Sequence, residues 1–260
     1  MSCLMADVQN QKDIRNLPID KVGVKDIKYP ITVLDRHKEH QQTVAAINMY
    51  VDLPHQYKGT HMSRFIEILN HHSHNINLKN LRGLLEDMKK RLEASRAHIE
   101  ISFPYFIAKQ APVSHANALM EYQVTYLAGL DENGLDLIVK IKVPVTTLCP
   151  CSKEISRFGA HNQRGMVELA VRINRFIWIE DLIALVEASA SCEMYSLLKR
   201  EDEKYVTERA FENPRFVEDL VREVSLKLDS DSNISWFAVS AENMESIHNH
   251  SAYAYIERQK

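Results

Sequence analysis

Cys149 and Cys151 flank Pro150 at the end of an apolar stretch, and His161 follows ten residues after the second thiol. Thiolate and imidazole suit Zn²⁺ or a similar borderline ion. A catalytic metal keeps three protein ligands and an open position for water, so either cysteine, His161 and one carboxylate would form such a set. A disulfide across a single proline is geometrically unattractive. The same letters also describe a small buried thiol beside a surface histidine. Near the C-terminus, Glu245-Ser-Ile-His248-Asn-His250 places two imidazoles at i and i+2, on one side of an extended chain. Such a pair can bind metal or move protons near neutral pH. Glu218, in Arg215-Phe-Val-Glu-Asp219, is a carboxylate at the start of a helical pattern. Held in place, it can accept two N–H bonds side by side, the donor pattern on the pyrimidine edge of guanine or a pterin. Its bland reading is favourable helix-dipole chemistry. His71, His72 and His74 end a helical pattern, where imidazolium complements the dipole, and are read as structural.

The counts around these residues narrow the classes. Twelve His stand against four Cys, seven Gly and eight Pro. So few glycines argue against a glycine-loop nucleotide fold. Lys and Arg total 32 against 35 Asp and Glu, a formal charge of −3, which leaves no basic surplus for a general nucleic-acid binder. The same balance excludes a polybasic membrane surface, and no apolar run approaches the roughly 20 residues needed to span a bilayer. Residues 1–11 are polar, without a secretory signal pattern, and the cysteines are too few for a disulfide scaffold. A cytoplasmic location is expected.

The elements that must position the candidates repeat a pattern. Residues 1–28 read as a polar lead-in. Tyr29–Asp35 and Gln42–Leu53 alternate as strands. Met62, Phe65, Ile66 and Leu69 form one helical face, and Leu78 to Leu92 a second. Strands are expected over His98–Lys109 and Met120–Ala128. After the Asn133-Gly134 turn signal the order begins again: strands over Leu135–Val145 and Val167–Ile173, then a helix lined by Ile179, Leu182, Ile183 and Val186. A second helix opens at Asn213-Pro214, read as N-cap and first helical residue, before strands over Asn233–Ser240 and Ala252–Ile256. Each half reads ββααββ, so the chain divides into modules 1–131 and 132–260, each an antiparallel sheet with helices on one face, an α+β layer. Bare sheet edges must be closed by assembly, so an obligate homo-oligomer is expected. Between the second pair of helices lies a charged insertion, Ser191–Glu212, read as a solvated loop or one that delivers a carboxylate into a site.

Four separated motifs, Lys58-Gly-Thr-His-Met-Ser-Arg-Phe65, Pro144-Val-Thr-Thr-Leu-Cys-Pro-Cys-Ser-Lys-Glu154, Gly159-Ala-His-Asn-Gln-Arg164 and Glu245-Ser-Ile-His-Asn-His250, together resemble the prokaryotic type IB GTP cyclohydrolases. That family uses the bimodular tunnelling fold, or T-fold, in which ββααββ modules assemble into a barrel. The resemblance implies hydrolytic opening of the GTP imidazole ring to 7,8-dihydroneopterin triphosphate and formate, the first step of folate and pterin synthesis. It also implies a divalent metal (Zn, Mn or Fe) held by Cys149, His161 and Glu203, where Glu201 and Glu208 compete with Glu203. Cys149, His248 and His250 would be catalytic, and Glu218 would anchor the guanine ring. Lys58, His61, Arg64, Lys153, Arg157 and Arg164 fall in matching segments as triphosphate contacts. A homotetramer is implied.

Two other readings compete. A T-fold nitrile reductase with a cysteine nucleophile and NADPH would carry a Glu-Ser-Lys string, which this chain lacks. A non-enzymatic pterin- or metal-binding module would keep Glu218 but have no use for Cys149, His161, His248 and His250 together.

Overall fold

The computed structural model describes residues 9, 11–72 and 76–260. Cys3 and His74 lie outside the described residues. Contacts group the chain into two compact units. The first runs to Phe103 and adds Thr125–Leu137; the second holds Pro104–Val124 and Ile138–Lys260.

In the first unit, β1 (Ile19–Asp35), β2 (Glu39–Leu53), β3 (Ala97–Gln110) and β4 (Asn117–Asp131) are neighbours in that order, and β3 and β4 continue into the second unit. The β1–β2 and β2–β3 pairs are antiparallel. Alternation decides the buried face: Ile47, Met49 and Val51 of β2 and Ile99, Ile101 and Phe103 of β3 are buried, as period-two side-chain direction requires. The helices α1 (Met62–His72) and α2 (Leu81–Arg91) bury Phe65, Ile68, Leu69, Leu84, Leu85 and Met88. Residues 1–28 are not wholly a lead-in. β1 starts at Ile19, ten residues before the expected Tyr29. Its early part breaks register between Ile19 and Val22 and between Val24 and Ile27, and Asp26 adopts φ 58°. These bulges destroy the alternation by which a strand is read. Gly23 is required there, because a Cβ would stand 1.9 Å from the Met49 carbonyl oxygen.

In the second unit the order is β3, β4, β5 (Gly134–Leu148), β6 (Asn162–Ile173), β8 (Ile234–Met244), β9 (Ser251–Gln259), with the short β7 (Cys192–Glu193) beside β5. The pairs β5–β6, β6–β8 and β8–β9 are antiparallel. The helix α4 (Ile179–Glu187) buries the apolar face expected of it, Leu182, Ile183 and Val186, and α6 (Val217–Ser230) buries Leu220, Val221, Val224 and Leu228. A short α3 (Pro150–Ile155) follows β5.

Two expectations are corrected in this unit. The insertion Ser191–Glu212 is ordered structure, β7 and then α5 (Arg200–Glu212). Its apolar side is thin: Ala210 is buried and Val206 partly so, against Leu148, Cys192 and Ala160. Two small side chains in thirteen residues leave little periodic signal. Asn213 does not open the next helix but ends α5, with Nδ2 donating to the Ala190 (2.9 Å) and Ser191 (3.3 Å) carbonyls. The helix α6 begins at Val217, where the Phe216 N–H donates to Asp219 Oδ2 at 3.0 Å. Glu218 is therefore its second residue, within the first turn. Among the described residues, no helix is long and apolar enough to cross a membrane.

Candidate active site

β5 delivers Cys149. The strand ends at Leu148, and Cys149 becomes the N-cap of α3, its Sγ accepting from the Ser152 N–H at 3.5 Å, with Pro150 at the first helical position. That geometry separates the two thiols: Cys149 is half-buried at the strand mouth, whereas Cys151 is exposed on α3. The Cys149 N–H donates to the His161 carbonyl at 3.3 Å, and the His161 N–H donates to Ser152 Oγ at 3.3 Å. The loop between α3 and β6 thus brings His161 back beside Cys149. The His161 ring is reached from the connection after β8: Ser246 Oγ lies 3.3 Å from Nδ1.

Ser246 belongs to the last connection, where Glu245, His248 and His250 place ligand atoms within 4.8 Å of one another. Glu245 Oε2 is 3.3 Å from His248 Nε2, and the rings of His248 and His250 stack with centroids 5.1 Å apart. The sequence motif gives Glu245 no role; its contact with His248 does.

Glu203 stands on α5, exposed, and its ligand atoms do not form a group with those of Cys149 and His161 within 4.8 Å. The helix does orient it. Glu203, Val206 and Ala210 are spaced i, i+3, i+7 and share a face, and Val206 and Ala210 pack on Leu148 and Ala160, the neighbours of Cys149 and His161. Glu208 is instead 3.8 Å from Lys204 on another face. Asp202 fixes α5 in place: it accepts from the N–H groups of Val113 (2.8 Å), Ser114 (2.9 Å) and Lys199 (2.8 Å) and from the Ser114 hydroxyl (2.5 Å). Burial pushes its carboxyl up, but these donors outweigh it and hold Asp202 well below the usual carboxylate range.

Glu218 is exposed in the first turn of α6. The Arg215 N–H donates to the Leu148 carbonyl at 3.1 Å, which ties the approach to α6 to the residue before Cys149. Lys153 donates to the Phe211 carbonyl at 2.5 Å and lies 4.4 Å from the Phe211 ring centroid, so its ammonium is engaged with α5. Arg157 and Arg164 are exposed. Lys58, His61 and Arg64 belong to the first unit, where His61 and Arg64 line a cleft with Tyr57, Thr60 and Glu93. Arg64 also donates to the Arg91 carbonyl at 3.1 Å, closing the C-terminus of α2. His71 and His72 form a second three-residue group with Asp87, likewise in the first unit. Asp87 Oδ2 is 3.3 Å from His72 and 3.9 Å from Arg91, a polar cluster at the end of α1.

One buried cluster had no sequence signal. Lys109 Nζ lies 2.8 Å from Glu187 and 2.5 Å from Glu193, and the Tyr122 hydroxyl donates to Glu187 at 2.7 Å. Burial raises the Glu187 carboxyl above its usual range despite the lysine. The cluster clamps β3, β4, α4 and β7 beneath the insertion, from residues up to 84 positions apart. Beside it, burial also pushes the Cys192 thiol up, which removes Cys192 as a ready thiolate.

Known proteins give the same arrangement a family. The solved uricase of Arthrobacter globiformis superposes with a TM-score of 0.54 at 9% identity over 93% of each chain, and a urate oxidase from Bacillus sp. with 0.53 at 8% identity over 93% of this chain and all of that one. Those likenesses concern the fold, that of the bimodular T-fold. GTP cyclohydrolase FolE2 of Citrifermentans bemidjiense is 60% identical over 256 residues, 98% of this chain and 96% of its own. The protein of the same name from Geotalea uraniireducens is 61% identical over 98% and 94%, and that of Nitrosococcus oceani 59% over 98% and 95%. The family described as Type I GTP cyclohydrolase folE2 matches residues 5–254. The chain belongs to that family.

Proposed function

We propose that the chain is a GTP cyclohydrolase that opens the imidazole ring of GTP by hydrolysis, releasing C8 as formate and giving 7,8-dihydroneopterin triphosphate. The observation that carries the reading is the meeting of β5, β6 and the last connection at one place, with Cys149, His161, Ser246 and His248 linked by hydrogen bonds and a carboxylate. The donors at this place, a thiol, imidazoles and carboxylates, fit a borderline divalent ion. Cys149, His161 and Glu203 would hold it, as Zn²⁺, Mn²⁺ or Fe²⁺. When bound, the metal supplies Lewis acidity that makes water nucleophilic near neutral pH.

The remaining steps belong to the chain's own side chains. Glu218 accepts two N–H bonds from the guanine edge and sets which face of the ring enters the site. His248, oriented by Glu245 and stacked on His250, gives a proton to the departing ring nitrogen and takes one back afterwards. Arg157 and Arg164, with Lys153, offer cations for the triphosphate. We assign residues 1–131 and 132–260 as the two copies of the duplicated module, and a homotetramer as the assembly that closes their edges.

The reading is tested by incubating the protein with GTP and Zn²⁺ or Mn²⁺ and following pterin fluorescence after oxidation, with formate measured in parallel. Fluorescent product and formate in equal amounts are expected. Cys149→Ala should lose bound metal and turnover together. Full turnover by metal-depleted Cys149→Ala would overturn the metal assignment, and formate without pterin would restrict the function to ring opening.

A further inference from the structure

Thr147, Gln163 and Glu245 stand in one row across β5, β6 and the end of β8. Thr147 pairs with Gln163 in the β5–β6 register, and the β6–β8 register, which pairs Gly165 with Asn243 and Arg164 with Met244, brings Glu245 opposite Gln163. Thr147 and Gln163 are buried, at 0% and 6% exposure, and so is Asn243 at 1%. The Gln163 amide is fixed in one orientation. Glu245 Oε1 can only accept, so the atom facing it at 3.0 Å is Nε2, which turns Gln163 Oε1 towards the Thr147 hydroxyl at 3.2 Å and Asn243 Nδ2 at 3.4 Å. Occupying Glu245 Oε1 leaves its Oε2 for His248, at 3.3 Å. Space for this relay depends on Gly165: a Cβ there would stand 2.7 Å from Asn243 Oδ1.

We propose that Gln163 is a positioning residue of the site, whose buried amide fixes the Glu245 carboxylate and, through it, the ring of His248. The proposal rests on the reading of His248 as the group that moves a proton. A buried amide held by two donors cannot turn, so it transmits the rigidity of the sheet to an otherwise exposed connection. Partners that orient an active-site group from behind in this way are worth about 10- to 100-fold in activity.

Two substitutions test it in the full-length, metal-loaded protein: Gln163→Glu, which keeps the shape but turns the donor into an acceptor, and Gln163→Met, which removes the polar atoms. In both, kcat for GTP should fall about 10- to 100-fold, while KM, Zn²⁺ per chain and the thermal midpoint stay close to wild type. His248→Gln should lose at least as much, and Gln163→Met/His248→Gln no more than His248→Gln alone, because the two act in series. Unchanged kcat in both Gln163 variants overturns the proposal. So does a loss that multiplies with that of His248→Gln, or one matched by lost Zn²⁺ or lost folding. If His248→Gln alone keeps full kcat, the failure lies in the reading of His248 instead.

Discussion

On α5, Glu201, Glu203 and Glu208 offer the same carboxylate, and the letters alone do not rank them. The helix does: only Glu203 lies i, i+3, i+7 with Val206 and Ala210, which share a cluster with Leu148 and Ala160, the chain neighbours of Cys149 and His161. Glu203→Gln is therefore expected to weaken Zn²⁺ binding by at least about tenfold, the scale on which losing even a partner behind a ligand is felt. Glu208→Gln, on the face where Lys204 sits, should leave it unchanged. Competition with a chromophoric chelator reads both, and equal affinities for the two variants would remove Glu203 from the ligand set. The sequence singled out residues where a motif concentrated them, and the fold brings Cys149 beside His161 and His248 beside His250. It is silent where a role comes from a contact across the sheet. Gln163 and Glu245 are ordinary letters until the β6–β8 register sets them face to face.

Elements with strong periodicity were read close to their positions, among them α1, α2, α4 and the long strands from β2 onward, the short β7 excepted, because one buried face imposes period 3.6 or 2 on the sequence. The early part of β1 and all of α5 were missed for opposite reasons: bulges erased the alternation in one, and a two-residue apolar stripe was too thin in the other. The junction of β2 with the turn before β3 is also held by a polar device without a periodic signature. Asp52 accepts from the Ser95 hydroxyl and from the Arg96 N–H at 2.6 Å. Burial pushes the Asp52 carboxyl up, but those donors prevail and hold it below its ordinary value of 3.8. A carboxyl depressed in the folded state stabilises the fold above its unfolded value, and that contribution is lost as pH falls through the folded one. Asp52→Asn should thus cost about 1 kcal/mol near neutral pH, the value of charge-assisted hydrogen bonds reduced by screening at an exposed site. The gap between wild type and variant should close below about pH 4. Urea unfolding at both pH values measures it; a gap that widens in acid would reverse the argument.

For the molecule as a whole, the unanswered demand is the sheet edge. In unit 2 the order ends at β9, which pairs with β8 on one side only. Its neighbours in β8, Val239 and Ala241, are fully buried, yet their partners Ile256 and Ala254 are only half-covered. On the opposite face Tyr253 and Tyr255 are 64% and 52% exposed. A long strand left in this state invites pairing with another chain, and closure is the way a native protein removes it. Tyrosine is also a residue type that dominates interfaces when buried there, at about 2 kcal/mol for each one truncated. Light scattering on the purified chain should therefore give a multiple of the 30.0 kDa monomer mass, four times it for the proposed tetramer. Tyr253→Lys/Tyr255→Lys should shift the population to smaller species on dilution while far-ultraviolet circular dichroism stays unchanged, since both rings are exposed within the single chain. A wild-type monomer would refute closure altogether, and a tetramer untouched by the double substitution would move the contact away from β9. Loss of GTP turnover in step with dissociation would add a further constraint: the site then works only in the assembled protein.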